Sequence, residues 1–239
     1  MLKYPPECIF RGFYMENKMK DKNKKTIDYM TKIAILAALS SILYFIPKFP
    51  LPFLFPSFLE IQFSNLPAIL GGFILGPFAG GLIVAIRTLI KLPFSSTACV
   101  GELADFLIGI ATVLTSSIIY KKIKTKKGGA IALIFGSIAW VLMAIITNYA
   151  FLIDFYAKFY ADAGGMAMII EVCKKVLPSI NENNFMRLYL FGAVLPFNLL
   201  LSILVSIVTF MVYKRISDIF KKELFKTRKE DNVKNSSNM

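Results

Sequence analysis

The sequence predicts an all-α integral membrane protein with six transmembrane helices and both termini in the cytoplasm. Three observations predict it. The 239 residues are 56% hydrophobic and include 22 Phe, far from the composition of a soluble domain. The apolar residues fall into six blocks approaching the roughly 20 residues per helix that a hydrocarbon core about 30 Å thick requires. The basic residues gather in three places: eight Lys or Arg within 1–32, five in "KKIKTKK" at 121–127, and eight from Lys214 onward. Such clusters stay cytoplasmic, and six spans put all three on one side, whereas five would place the tail opposite the N-terminus. The net charge of +13 therefore reads as membrane orientation, with no nucleic acid partner.

Residues 1–30 form a charged cytoplasmic leader without a signal-peptide cleavage pattern; Met15 and Met19 are alternatives to Met1 as the start. Residues 31–213 make the membrane domain. Span one, 31–46, carries Ala34 and Ala38 as A-x-x-x-A, a spacing that lets helix backbones approach closely. The stretch "PKFPLPFLFPSFLE", 47–60, is rich in Pro, which removes backbone donors and fixes a dihedral, so it should form a stiff, turning outer loop rather than a helix. An aromatic lid is one reading of it and an interfacial aromatic belt the other.

Spans two, 61–75, and three, 77–92, abut at Gly76 and Pro77, residues that membrane helices tolerate. Span two opens with the polar residues Gln62, Ser64 and Asn65. Gly72, Gly76 and Gly80 repeat at spacing four and offer a flat face to another membrane protein. Arg87 and Lys91 lie near the outer end of span three. A charge at membrane depth costs roughly 2.5 to 3.5 kcal/mol, which snorkelling to the interface avoids; a ligand or acidic partner is the alternative.

Span four, 101–120, opens at "GELADF", where Glu102 and Asp105 stand one helical turn apart. No nucleophile or base shares the motif, so the pair reads as polar groups at the outer start of a span; an intramembrane enzyme using it is the reading from another class. Spans five, 128–153, and six, 188–213, are joined by an outer connection and carry Asn148 in "AIITNYAFLIDFY" and Asn198 in "GAVLPFNLLLSIL". Lipid satisfies neither the donors nor the acceptor of an amide. Interhelical bonds worth about 0.6 to 2 kcal/mol are one solution. Both residues, however, belong to the outer halves of their spans, on the side of the Pro/Phe loop. A polar-studded pocket under an aromatic cover suits a small, partly polar ligand. The tail, 214–239, has nothing to bury and is expected to be disordered.

Histidine is absent, which excludes His-based proton shuttles and triads. The chain has no G-x-x-x-x-G-K-[ST] loop and so binds no ATP in that manner. Cys8, Cys99 and Cys173 lack metal-ligand spacing. No catalytic residue, metal or cofactor is expected, and the chain reads as a non-enzyme.

The blocks "FPLPFLFPSFLEIQFSNLPAILGGFILGPFAGGLIVAIRTLI", "GELADFLIG", "NYAFLIDFY" and "GAVLPFNLL" resemble the substrate-binding S components of energy-coupling factor (ECF) vitamin transporters, and among them the riboflavin branch. The resemblance runs from about Thr31 to Tyr213. It implies a multi-pass protein of a prokaryotic plasma membrane that captures a vitamin from outside and delivers it with a membrane scaffold protein and two ATPases, in an ABC transporter complex. Riboflavin is the favoured vitamin, and another vitamin or precursor the alternative. It further implies scaffold contact at Ala34 and Ala38, to which the glycine spacing adds Gly76 and Gly80, a gate at 47–60, and vitamin binding by Asn148 and Asn198, around which Phe58, Gln62, Asn65, Glu102, Tyr149, Asp154 and Tyr156 complete the candidate substrate site. The chain departs from the riboflavin pattern at Gln62, Asn65, Thr88, Asp154 and Leu201, where a ligand-facing lysine is replaced.

Overall fold

A computed structural model describes residues 6–46 and 49–236, with side chains described over 23–46, 50–162 and 164–215. Helix α1 (Pro6–Phe45) leads to a two-residue antiparallel pair, β1 (Phe49–Pro50) with β2 (Glu60–Ile61), and then to α2 (Asn65–Leu75), α3 (Pro77–Lys91) and α4 (Val100–Lys122). Helix α5 (Lys126–Thr147) passes through a π turn, Asn148–Leu152, into α6 (Ile153–Phe159). Beyond α7 (Gly165–Lys174), α8 (Phe185–Tyr189) passes through a second π turn, Leu190–Val194, into α9 (Leu195–Ser236). Helix α9 thus carries the chain into 214–236, the segment for which the sequence offers no buried partner.

Among the described residues, five helical segments are long and apolar enough to cross a membrane: Asn23–Phe45, Pro77–Phe94, Val100–Lys122, Lys126–Phe159 and Phe185–Arg215. The second span expected from the sequence differs. Ile61 lies in β2, and α2 has only 11 residues, about 16 Å at 1.5 Å per residue, half of what a ~30 Å core requires. Helix α2 is instead a buried element, with Pro67 to Phe73 covered by its neighbours α1, α3, α4 and α9.

The bundle has an apolar core, but unlike a soluble protein it is apolar outside as well. Ile35, Leu39, Ile134, Ile138 and Ile203 point outward, while Ser40, Ser64, Thr112, Ser116, Ser117 and Thr209 are buried. Lipid tails are as apolar as leucine, so helices associate through small residues that allow close approach and through interhelical hydrogen bonds. Ser40 Oγ, for example, donates to Ser64 O at 2.6 Å, tying α1 to the start of α2.

The α2–α3 junction falls at Gly76 and Pro77, as expected. Gly76 has φ +102° and ψ 167°, which only glycine adopts without strain, and Pro77 supplies the preset φ of a first helical residue. Gly80, however, faces inward. A Cβ there would meet Val113 Cγ1 at 2.6 Å and Gly72 Cα at 2.9 Å, and a Cβ on Gly72 would meet Ser117 Oγ at 1.9 Å. Gly72 and Gly80 therefore bring α2, α3 and α4 into contact with one another, and Gly80 is too buried to dock a partner. Ala34 and Ala38 are exposed on α1 and Gly76 is half-buried, so these remain open to an outside protein.

Candidate functional site

The Pro/Phe loop is a turn-rich hairpin closed by β1 and β2, with Leu54 and Phe55 N–H both donating to Leu51 O. It packs onto the start of the last transmembrane helix. The Phe55 ring meets Phe197 edge-on with centroids 5.3 Å apart, and Phe58 lies 6.1 Å from the ring of Tyr189, which in turn stacks on Phe185. Aromatic contacts of this kind add about 0.5 to 1.5 kcal/mol beyond burial. The loop is thereby held over the helices that carry the two predicted asparagines.

Asn148 and Asn198 are buried. The Asn148 amide donates to Ala144 O at 2.8 Å and its Oδ1 accepts from Tyr189 Oη at 3.0 Å; Asn198 donates to Val194 O at 2.8 Å and accepts from Trp140 Nε1 at 3.0 Å. Each amide thus joins α5 to the α8–α9 helix. Sequence reasoning missed Tyr189 and Trp140; Trp140 lies eight residues before Asn148, about 80° around the helix from it. Asn148 opens one π turn and Val194 closes the other. Single π turns inside α-helices are frequent at functional sites.

The π turn also explains a correction. Tyr149 and Tyr156 are seven residues apart, which keeps two residues on one face of a regular helix. The added residue of a π turn shifts that phase by about 100°. Tyr149 is 65% exposed on the outer surface of the bundle and joins none of the other predicted site residues. Tyr156 is half-buried, with its hydroxyl beside Thr97 and Gly101 at the start of α4. Asp154 is exposed. Leu201 is packed in the core at 3% exposure, a place where a lysine would need a partner.

The remaining candidates form a polar cluster among α2, α3 and α4. Glu102 is buried and accepts from Ser95 Oγ at 2.6 Å and Thr97 Oγ1 at 2.9 Å. One turn on, Asp105 accepts from Gln62 Nε2 at 2.9 Å and from Arg87 Nη2 at 2.8 Å. Arg87 has 0% exposed surface and its guanidinium lies over the Tyr44 ring, so it is an internal ion pair and not a snorkelling cation. Lys91, half-buried, lies over Phe45 at 4.5 Å. Thr88 bonds within its own helix, to Val84 O. Gln62 Oε1, Asn65 Oδ1 and the Arg87 Nε and Nη1 donors are buried with no hydrogen-bond partner among the described residues. Buried polar atoms usually bond, so Gln62, Asn65 and Arg87 hold unused capacity at one point of the interior. Gln62 directly follows β2, so this cluster also anchors the end of the hairpin loop.

The predicted residues therefore divide in two. On one side Phe58 lies against Tyr189, which bonds Asn148, and about two helical turns along the same pair of helices Trp140 bonds Asn198. Gln62, Asn65 and Glu102, with Asp105 and Arg87, lie on the opposite root of the same loop, and Tyr156 reaches Thr97 beside Glu102. Each carboxylate accepts two bonds from hydroxyl, amide or guanidinium donors, both of Glu102's on Oε2.

Residues 28–213 match the family model for the substrate-specific component of ECF transporters. Among curated proteins the chain is similar to the riboflavin transporter RibU of Staphylococcus aureus (strain TCH60), 31% identical over 201 residues that cover 84% of this chain and 94% of the relative. It is also similar to the riboflavin transporter FmnP of Bacillus subtilis (strain 168), 27% identical over 190 residues that cover 77% and 91% of the two chains. A solved structure of the S component of a bacterial ECF transporter superposes with a TM-score of 0.61 at 28% identity, covering 82% of this chain and 99% of that one.

Proposed function

The chain belongs to the family of ECF transporter substrate-specific components, and from that premise we propose that it captures riboflavin at the outer face of a prokaryotic plasma membrane and releases it inward with the help of a separate membrane scaffold and two ATPases. The family and its relatives are transport subunits and not enzymes, so Glu102 and Asp105 are not an acid–base pair. The observation that carries the substrate reading is the docking of Phe55 and Phe58 onto Phe197 and Tyr189, beside Asn198 and Asn148. A flat aromatic ligand with a hydrogen-bonding edge needs this combination: rings to stack on and amides to exchange bonds with. Entry requires the hairpin loop to lift and the amides to trade their internal partners for the ligand. Phe58, Asn148 and Asn198 contact the ligand in this reading, Gln62, Asn65, Glu102 and Tyr156 shape the loop's other root, and Asp154 stands at the rim.

In the membrane the chain makes six passages, the second completed by α2 with the loop before it, since irregular backbone at membrane depth is tolerated where protein covers it. Both termini and the 121–127 loop then share the cytoplasmic side, in keeping with their basic residues. Ala34, Ala38 and Gly76 face the scaffold.

Quenching of riboflavin fluorescence by the purified protein tests the substrate, beside a panel of other vitamins. Saturable binding of riboflavin is expected, weakened by Asn198→Ala by about 1 to 3 kcal/mol through an unmatched polar group. Binding of a different vitamin alone would reassign the substrate, and absence of binding to every vitamin at micromolar concentration would overturn the reading.

A further inference from the structure

A groove of about 580 Å³ runs down the outside of the bundle between α5 and α9, from Leu142 and Leu199 at one end to Ala130 and Met211 at the other. Its walls are apolar side chains, among them Ile134, Ile138, Ile203 and Ile207, all exposed. Its floor contains Ser137 and Ser206, whose hydroxyls are 3.0 Å apart. The helices are antiparallel along it: Gly129 lies beside Tyr213, Ser137 beside Ser206, and Trp140 beside Asn198.

This arrangement brings the two basic ends together. Ala130 is the first groove residue of α5, and Lys126 and Lys127 precede it by four and three positions. Phe210 and Met211 are the last groove residues of α9, and Lys214 and Arg215 each follow one of them by four. Spacings of three and four place side chains on one helix face, one turn apart. The four cations are exposed, so they cap a single end of the groove. From Ala130 to Leu142 the groove spans 13 residues, about 18 Å along a helix, against roughly 15 Å for one leaflet's half of the hydrocarbon core.

We propose that this groove binds one anionic phospholipid, an acyl chain lying between α5 and α9 and the phosphate held by Lys126, Lys127, Lys214 and Arg215. Charge complementarity selects the occupant. A basic pocket between membrane helices recognises an anionic headgroup, whereas a zwitterionic lipid fills the apolar part without gaining from the four cations. The four cations stand at the end of the groove away from Leu199 and Asn198.

Native mass spectrometry of the full chain, stripped of lipid and titrated with dioleoyl-phosphatidylglycerol or dioleoyl-phosphatidylcholine, tests it. One phosphatidylglycerol is expected to be retained over phosphatidylcholine by at least about fivefold, the ratio equivalent to about 1 kcal/mol from a single well-placed cation. Replacing all four cations, Lys126→Gln, Lys127→Gln, Lys214→Gln and Arg215→Gln, should erase that preference while leaving apolar retention. Ile203→Trp, which fills the groove from its lipid-facing wall, should lower retention of both lipids. Equal retention of the two lipids by the unmodified protein would overturn the proposal without recourse to any variant. So would a preference that survives loss of the four cations, or phosphatidylglycerol binding unaffected by Ile203→Trp.

Discussion

Replacing Asp105 by Asn separates the charge of the buried cluster from its shape. Asp105 accepts from Arg87 at 2.8 Å and from Gln62 at 2.9 Å, and Arg87 has no exposed surface. The attraction between the charges is about 4 kcal/mol at an effective dielectric of 20 for centres about 4 Å apart, and it offsets the cost of burying both. With the carboxylate gone the guanidinium remains enclosed and unpaired, so Asp105→Asn should destabilise the protein by about 3 to 5 kcal/mol. Removing both charges, as Arg87→Met with Asp105→Leu, should cost less than the single change. What remains is the unmatched Gln62 amide, worth about 1 to 3 kcal/mol. Reversible unfolding by sodium dodecyl sulfate in mixed micelles, followed through the fluorescence of the chain's single Trp, measures both. A single mutant within about 1 kcal/mol of the parent, or a double mutant no more stable than the single, would refute the ion-pair account.

Gly72→Val should destabilise the bundle by about 2 kcal/mol or more, because its Cβ falls 1.9 Å from Ser117 Oγ and overpacking of this kind costs roughly 1 to 3 kcal/mol; Ser117→Gly should recover part of the loss in the same unfolding assay. In a Cys8→Ser background, a water-soluble maleimide at pH 7.5 should label exposed Cys99 and spare buried Cys173, whose thiol is pushed up to about 11 by burial. The thiolate is the reactive form, so labelling of Cys173 should rise with pH toward 11. The same shift contributes stability that is complete below pH 9 and declines as the pH passes through 11. Peptide mass spectrometry reads the labelling, and equal modification of both cysteines at pH 7.5 would count against the assignment.

Hydropathy and charge made most of the architecture legible. The Gly76–Pro77 break, the non-helical Pro/Phe loop and the burial of Asn148 and Asn198 in helix-to-helix bonds all follow from local chemistry. Arg87 was not decidable in the same way. A cation near a helix end looks alike whether it snorkels or pairs, and its partner lies 18 residues away. The glycine spacing was equally two-sided, since a small residue flattens a helix toward its own bundle or toward another protein; only the position of Ser117 and Val113 turns Gly72 and Gly80 inward. The second span was overestimated because hydropathy counts Ile61 and Phe63 with the helix, whereas the backbone there is committed to the hairpin and its root. Tyr149 was misplaced because a helical wheel assumes 3.6 residues per turn throughout, and nothing in "NYAFL" marks a wider one.

The two π turns divide each long helix into a part that faces the groove and a part that faces the hairpin loop. Gain or loss of one residue within 148–152 or 190–194 rotates everything beyond it by about 100° and leaves the rest of the helix in phase. In evolutionary terms these are the points at which a single-codon insertion or deletion changes what the outer end presents without disturbing how the inner end packs. Lineages of this fold can therefore diverge in what they recognise while inheriting the remainder of the bundle unchanged.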